Sequence, residues 1–335
     1  MENPVYIVTG AAGHLGSHVV KELLSQGKSV RALFLPEENC PDFINQNRHL
    51  LTEYIGDLLD LHSLECMFYS TQPISFIVIH CAAYISITKN NACKVYNVNI
   101  NGTGNLLELC RKFPVLRFIY VSSVHAIPLL PRGQTMCEVH SFDPNNVSGH
   151  YDKSKAIATQ LVLDESLKGL STVVVHPSGI IGPHGLLTGN MMKMISLFVK
   201  GRFPFAVKGG YDFVDVRDVT SGILAAAEKG KAGECYILSN RFVDLKELFD
   251  TLYKAGAKHK LIAQIPVWMA KALAPLAEFY YRLFRKTPLL TRYSLKTLFL
   301  NGKYSHEKAS RDLGYKTRPI AKTLVDTVHW IKQIY

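Results

Sequence analysis

The segment "GHYDKSKAIATQ", residues 149–160, sets Tyr151 and Lys155 four positions apart at the head of a helical pattern. Positions i and i+4 share one helix face, so a phenol and an ammonium project into the same space. A phenol beside a cation ionises more readily, which moves it from about 10 toward the range where a general acid/base works best. Solvated helix faces carry the same spacing by chance. The pair therefore gains meaning only from the elements that position it.

The stretch "VYIVTGAAGHLGSHVVKELLSQG" carries Gly10, Gly13 and Gly16 as G-x-x-G-x-x-G, directly after an apolar run and at the opening of an amphipathic helix. Glycine permits the tight turn and lets backbone N–H groups approach a pyrophosphate, while the helix N-terminus supplies partial positive charge. Short β-branched runs at 5–10, 29–35, 50–56, 75–81, 117–123 and 171–177 alternate with helical patterns. That rhythm predicts an α/β fold, a Rossmann-type doubly wound parallel sheet. Ser123 ends the fifth run, at the strand's C-terminal end, where open α/β sheets hold ligands. After Pro177 the pattern changes to glycine-punctuated loop and mostly helical segments, with isolated short strands in "YDFVDV" and "CYILSN". The expected organisation is a dinucleotide-binding domain over 1–178 and a smaller, mostly helical C-terminal substrate lobe over 179–335, with segments near 212–240 returning to the first domain.

At 335 residues, with 47% hydrophobic and 19% charged residues, the chain can build a substantial core. No apolar run approaches the roughly 20 residues of a membrane span, and apolar sequence begins at Val5 with no room for a leader, so a cytoplasmic location is expected. Seven cysteines without a C-x-x-C indicate neither a disulfide framework nor a zinc knuckle. The net charge of +11 suits an anionic cofactor or substrate, but the basic residues are dispersed and accompany no nucleic-acid motif. Neither a metal nor a nucleic-acid partner is expected. His14, His125, His150 and His176 lie in or next to motifs without metal-ligand spacing; packing or solvation accounts for them, with His125 or His150 lining the pocket as the alternative.

Taken together, these motifs resemble the extended short-chain dehydrogenase/reductase family over nearly the whole chain. The segment Thr9–Gly16 matches its TGxxGxxG loop, "GDLLD" its adenine contact, "HCAA" its fourth-strand segment, "NVNINGTGNLL" its asparagine, and "YVSS" with Tyr151 and Lys155 the rest. The resemblance implies catalytic roles for Ser123, Tyr151, Lys155 and Asn99. Tyr151 would pass the proton, Lys155 would lower its pKa and bind the nicotinamide ribose, and Ser123 would hydrogen-bond the substrate oxygen. Asn99 would support the geometry near the lysine. Cofactor contacts are implied for Gly10, Gly13, His14, Leu15, Gly16, Asp57, Leu58, Ala82, Ala83, Tyr151, Lys155, Pro177 and Ser178.

Departures from the family pattern narrow the chemistry. Sugar epimerases and dehydratases of the family read R-x-x-N-x-Y-G-P after the sixth strand, whereas "HPSGIIGP" puts His176, Gly179 and Ile181 at those places. Dehydratases carry Asp-Glu after the catalytic hydroxyl, where Val124 and His125 stand. The chain is similar instead to the dihydroflavonol reductase and 3β-hydroxysteroid dehydrogenase branch, which implies a secondary-alcohol dehydrogenase or ketone reductase for a bulky, steroid-like substrate. A nucleotide-sugar 4-epimerase and a non-enzymatic NAD(P) sensor are the rivals. The second strand ends in Phe34 and Leu35 without an acid, so NADP(H) is favoured, with Arg31 the nearest guanidinium; NAD(H) would be served by Glu37 or Glu38 curling back. The apolar segment 265–284, with Trp268, Met269 and Phe279, is expected to roof the pocket, with packing against the lobe's own core and a peripheral membrane contact as the alternatives; a homodimer is left open.

Overall fold

Runs such as "FIVIH" and "TVVVHP" are largely apolar because both sheet faces are covered. All five residues of Phe76–His80 and all six of Thr172–Pro177 are buried. In the computed structural model, which describes residues 4–86, 91–131, 133–185, 189–202, 205–266 and 301–334 together with Trp268, Met269, Ala272 and Leu298, these runs become strands. They are β1 (Val5–Thr9), β2 (Val30–Phe34), β3 (Leu51–Ile55), β4 (Phe76–His80), β5 (Val115–Val121), β6 (Thr172–Pro177), β7 (Gly179–Ile181), β8 (Phe205–Val207), β9 (Gly210–Asp215), β10 (Glu234–Leu238), β11 (Arg241–Asp244) and β12 (Ala263–Ile265). A seven-stranded sheet has the order β10-β6-β5-β4-β1-β2-β3, parallel at every pairing. The order reverses between β1 and β4. That is where such sheets open a crevice for a ligand.

Helices α1 (His14–Ser25), α2 (Leu61–Glu65), α3 (Ala92–Tyr96), α4 (Gly102–Lys112) and α5 (His150–Leu167) link the strands. In α1 the apolar stripe Leu15, Val19, Val20, Leu23 and Leu24 is buried. The helix stops at Gly27, which takes φ 69° while Gly27 N–H and Lys28 N–H close on Leu24 and Leu23 carbonyls. Between α3 and α4 the chain makes a π-helical turn over Asn97–Asn101, which sequence periodicity does not reveal.

The second lobe gathers α6 (Asn190–Val199), α8 (Leu245–Lys254) and α10 (Ile320–Gln333) around Ile195, Phe198, Phe249, Leu252, Val328 and Ile331, beside the small sheets β11-β9-β7 and β12-β8. Helix α7 (Val216–Lys229) packs on α1. The segment "CYILSN" is not an isolated strand, because β10 pairs in parallel with β6 and forms one edge of the large sheet. Helix α9 (Glu307–Leu313) lies against α7 and β10, its Ala309 and Leu313 joining the dinucleotide-side core with Tyr315. The expected roof over 265–284 lies outside the described residues except Ile265, Pro266, Trp268, Met269 and Ala272, of which Trp268 is 71% exposed. Among the described residues no helix is long and apolar enough to cross a membrane.

Candidate active site

The floor of the crevice is built by small residues that let two loops touch. Gly10 has φ +68°, and a Cβ there would stand 2.8 Å from the Ala82 backbone. At Gly16 a Cβ would lie 2.1 Å from the Gly10 carbonyl oxygen. Gly13 caps α1 with no side-chain hydrogen bond, and no acid occupies the first turn. The N–H groups at that helix start therefore suit an anionic pyrophosphate, which fits a dinucleotide. Leu15 is buried, and Ala82 and Ala83 stand half-buried at the end of β4.

A buried relay fixes that edge. Ala82 N–H donates to Thr9 Oγ1 (3.3 Å), Thr9 Oγ1 pairs with His80 Nδ1 (2.7 Å), His80 Nε2 pairs with Thr103 Oγ1 (3.0 Å), and Thr103 donates to the Asn99 carbonyl (2.7 Å). Because Thr103 spends its proton on Asn99, His80 must donate from Nε2 and accept from Thr9 at Nδ1. Burial pushes the His80 imidazole down to about 3, with the Lys155 charge adding to the effect, so it stays neutral. The Asn99 side chain clasps the Tyr84 backbone, accepting from N–H at 2.7 Å and donating to C=O at 3.2 Å, and donates to Ser154 Oγ at 2.9 Å. Asn99 thus ties the π turn to α5 one residue before Lys155.

Helix α5 begins at Gly149, φ 113°, and presents Tyr151 and Lys155 one turn apart. Ser123 stands just beyond β5, its Oγ accepting from His125 N–H at 3.2 Å and hydrogen-bonding the Tyr151 phenol. The structure brings Ser123, Tyr151, Lys155 and Asn99 together at the crevice. One expectation needs correcting. Lys155 Nζ donates to the Val121 carbonyl at 2.8 Å and to Tyr120 Oη at 3.3 Å, and lies 4.7 Å from the Tyr120 ring centre. Its charge is spent there, so in the protein alone the Tyr151 phenol is not drawn down. Burial and the Asp152 charge hold it well above its ordinary value, and only the Ser123 hydrogen bond opposes them.

Burial also pushes Lys155 down to about 7 from an ordinary 10.5. Between those values the unfolded chain holds a proton that the folded lysine has released, so this group makes stability rise with pH across that window. We expect the melting-temperature advantage of Lys155→Met over the wild type, both without dinucleotide, to shrink between pH 7 and pH 9. A constant difference across that range, by calorimetry, would contradict the assignment.

Other predicted contacts fare differently. Arg31 is withdrawn from the cofactor edge, because its Nη1 donates to the Met67 and Tyr69 carbonyls at 2.7 and 2.9 Å and its guanidinium lies over Phe76. It stands second in β2, too early to reach the strand's C-terminal end. There a turn over Leu35–Glu38 brings Glu38 back, with Oε2 accepting from Leu35 N–H at 3.0 Å. A carboxylate, with no guanidinium beside it among these contacts, therefore closes the strand, and the sequence preference for NADP(H) loses its support. Asp57 is exposed and turns its own loop by accepting from Leu59 N–H at 2.9 Å, while Leu58 is buried against Gly102. His14 is held by the Pro183 carbonyl at 3.2 Å and pushed down to about 4 by burial. Pro177 ends β6, and Ser178 is buried beside Asp212.

The wall opposite Tyr151 contains residues that the motifs do not announce. A Cβ on Gly179 would stand 2.7 Å from the Tyr211 ring, so only glycine admits that ring here. Tyr211 stacks on His125 (centroids 5.9 Å, 19°) and its hydroxyl meets His125 Nε2 at 2.8 Å. His176 stacks on Phe142 and its Nδ1 meets the Ser123 carbonyl at 3.0 Å; burial lowers it to about 4, leaving it neutral. Ile181 is fully buried in the second-lobe core. Gly179 was legible as a missing amide, but which residue fills the space was not.

Residues 6–239 match the family model described as the NAD dependent epimerase/dehydratase family. The chain is 28% identical over 329 residues to "Sterol demethylase protein B" of Methylococcus capsulatus, covering 98% of each chain. It is 26% identical to "Sterol-4-alpha-carboxylate 3-dehydrogenase erg26, decarboxylating" of Schizosaccharomyces pombe, covering 93% of this chain and 92% of that one. Among solved structures, the crystal structure of gox2253 superposes with a TM-score of 0.83 at 29% identity, covering 99% of both chains.

Proposed function

The chain belongs to the NAD dependent epimerase/dehydratase family and is an NAD(P)-dependent oxidoreductase acting on hydroxyl and keto groups; from that premise we propose that it interconverts a secondary alcohol and a ketone on a bulky apolar substrate, using NAD(H). The bound nicotinamide supplies the hydride acceptor. Ser123 and Tyr151 hold the alcohol oxygen from two sides, and the Tyr151 phenolate takes its proton. Lys155, one turn along α5, orients the ribose. Asn99 holds the π turn against α5 through Ser154.

The observation carrying the substrate class is the closure of the position after β6: Gly179 is overlaid by Tyr211, and Ile181 faces the lobe core, so neither offers a polar group to a diphospho-sugar. Two relatives named for sterol chemistry support the same reading. The family description favours a second reading, a nucleotide-sugar 4-epimerase that returns the hydride to its substrate. Incubation with NAD+ separates them. A 3β-hydroxysteroid should give rising absorbance at 340 nm while UDP-glucose gives neither that rise nor epimer; epimer from UDP-glucose with an inert steroid would reverse the conclusion.

Cofactor choice is carried by Glu38, whose carboxylate would accept from a ribose 2′-OH and repel a 2′-phosphate. Glu38→Ala is expected to narrow the preference for NADH over NADPH by about tenfold, equivalent to one favourable contact. Unchanged relative Kd values by fluorescence titration would exclude that role.

A further inference from the structure

The first turns of α1 meet the second lobe through stacked rings. His14 opens the helix, its Nε2 donates to the Pro183 carbonyl at 3.2 Å, and a Cβ added at Gly185 would stand 3.1 Å from its ring. Between Pro183 and Gly185, His184 takes φ 56°, a left-handed backbone that a non-glycine residue holds at a cost, so its neighbours must fix it. Its imidazole lies nearly parallel to Phe43, with centroids 4.2 Å apart at 12°. Phe43 belongs to the loop between β2 and β3; it also meets the His18 ring at 5.2 Å, and Lys21 Nζ lies over it, 5.3 Å from the ring centre. His18 stands 5.5 Å from His14 and 6.0 Å from His184, and Trp330 of α10 lies 5.8 Å from His184. Helix α1, the β2–β3 loop, residues 182–185 and α10 therefore converge on one cluster of rings.

The contacts suit neutral imidazoles. His18 Nδ1 donates to the His14 carbonyl at 2.8 Å, as His14 Nε2 does to Pro183, so each ring spends one N–H on a carbonyl. No described contact offers an acceptor to the second nitrogen of either ring. A second proton would leave a positive charge packed among rings and near other histidines. The charged and titratable groups facing the cluster are Lys21 on α1, the exposed Asp42 beside Phe43, Arg217 on α7, Asp215 at the end of β9, and Asp326 and the exposed His329 on α10. Helix α6 meets it through Met192, which carries no charge. Asp215 and Asp326 are both bound to Arg217, at 2.7 and 2.8 Å. Burial pushes His14 down to about 4 and His18 to about 3, and it lowers His184.

We propose that His14, His18, His184 and Phe43 form an acid-released latch: with neutral rings it holds residues 182–185 of the second lobe on the start of α1, and protonation drives the rings apart, frees that loop and weakens dinucleotide binding. These are positioning residues, since they act through the helix start. The inference rests on the reading of that helix start as the pyrophosphate cradle. The sign follows from linkage. An opened latch returns the histidines toward their ordinary 6.5, so each one kept neutral by closure makes opening easier by about tenfold per pH unit below that value, until its closed-state value is reached.

The test reads the latch with and without dinucleotide. The chain has 2 tryptophans, so Trp268→Phe leaves Trp330 as the sole reporter. In that background the fluorescence of Trp330 should change between pH 7.5 and pH 5 without cofactor, and it should stay flat once His18→Gln and His184→Asn are added, asparagine being a residue that tolerates the left-handed backbone. The Kd for NAD+ by calorimetry should rise by about tenfold or more over the same interval in the wild type, in line with at least one proton taken up on opening. The double variant should show a rise of about threefold or less, because any part shared with the wild type comes from other groups, Lys155 included. An equal rise in both proteins, or a Trp330 signal that does not move with pH, would each overturn the proposal. Should the double variant fail to fold by circular dichroism, His184→Asn alone is held to the same criterion. A pyrophosphate bound elsewhere would appear instead as wild-type affinity for NAD+ in Gly16→Ala with the Trp330 transition intact, which would refute the cradle reading and with it the effect on binding.

Discussion

Tyr151→Phe is expected to lose turnover by roughly 10²–10⁴-fold while its Kd for dinucleotide stays within about twofold of wild type. The ring remains on the first turn of α5 and keeps its edge contact with His125, so packing changes little. What disappears is the only phenol that the described structure places in hydrogen-bonding contact with Ser123. Ser123 Oγ would still be held by His125 N–H, leaving the substrate oxygen with one partner and no proton acceptor. Steady-state kinetics with calorimetric cofactor titration check both halves. Turnover like wild type would remove Tyr151 from the chemistry; lost cofactor binding would make it a structural residue.

Gly16→Ala is expected to weaken dinucleotide binding by about 100-fold or more, because the new methyl would sit 2.1 Å from the Gly10 carbonyl oxygen and 2.8 Å from its carbon. Both atoms are backbone, so only separation of the loop from α1 relieves the overlap. That motion tilts the helix N-terminus away from the pyrophosphate position and pulls Gly10 off Ala82. Gly104→Ala is the control. It lies in α4 with no atom within 4 Å of the added Cβ, so it should leave binding unchanged and stabilise the helix by about 0.5–1 kcal/mol. Equal affinities for the two variants would show that the loop tolerates what the geometry forbids.

The parallel sheet was legible because its signal is composition along short runs: β1, β4, β5 and β6 are apolar at almost every position and each precedes a helical pattern. The glycine loop was legible because the spacing is a steric requirement. What sequence hid were contacts decided by register. Arg31 looked close to the cofactor in linear order, yet its position in β2 pairs it with Thr52 and sends its guanidinium to Met67 and Tyr69. Lys155 read as Tyr151's partner through helical spacing and the family resemblance, whereas the end of β5 supplies its closest described acceptor, Val121. The π turn around Asn99 left no trace in periodicity, since it is held by side-chain bonds to Tyr84 and Ser154. Tyr211 comes from a strand of a different sheet, nearly 90 residues beyond His125, and only the missing Cβ at Gly179 hinted at it.

The proposed reaction removes hydride from a carbinol carbon with Tyr151 as base. A 3β-hydroxysteroid deuterated at the carbinol carbon, incubated with NAD+ and the protein, tests it most directly by mass spectrometry of the dinucleotide. Reduced cofactor one mass unit heavier than NADH should accumulate with the wild type and be absent with Tyr151→Phe. Unlabelled dinucleotide throughout, with deuterium instead retained in an epimerised nucleotide sugar offered in the same labelled form, would contradict the account.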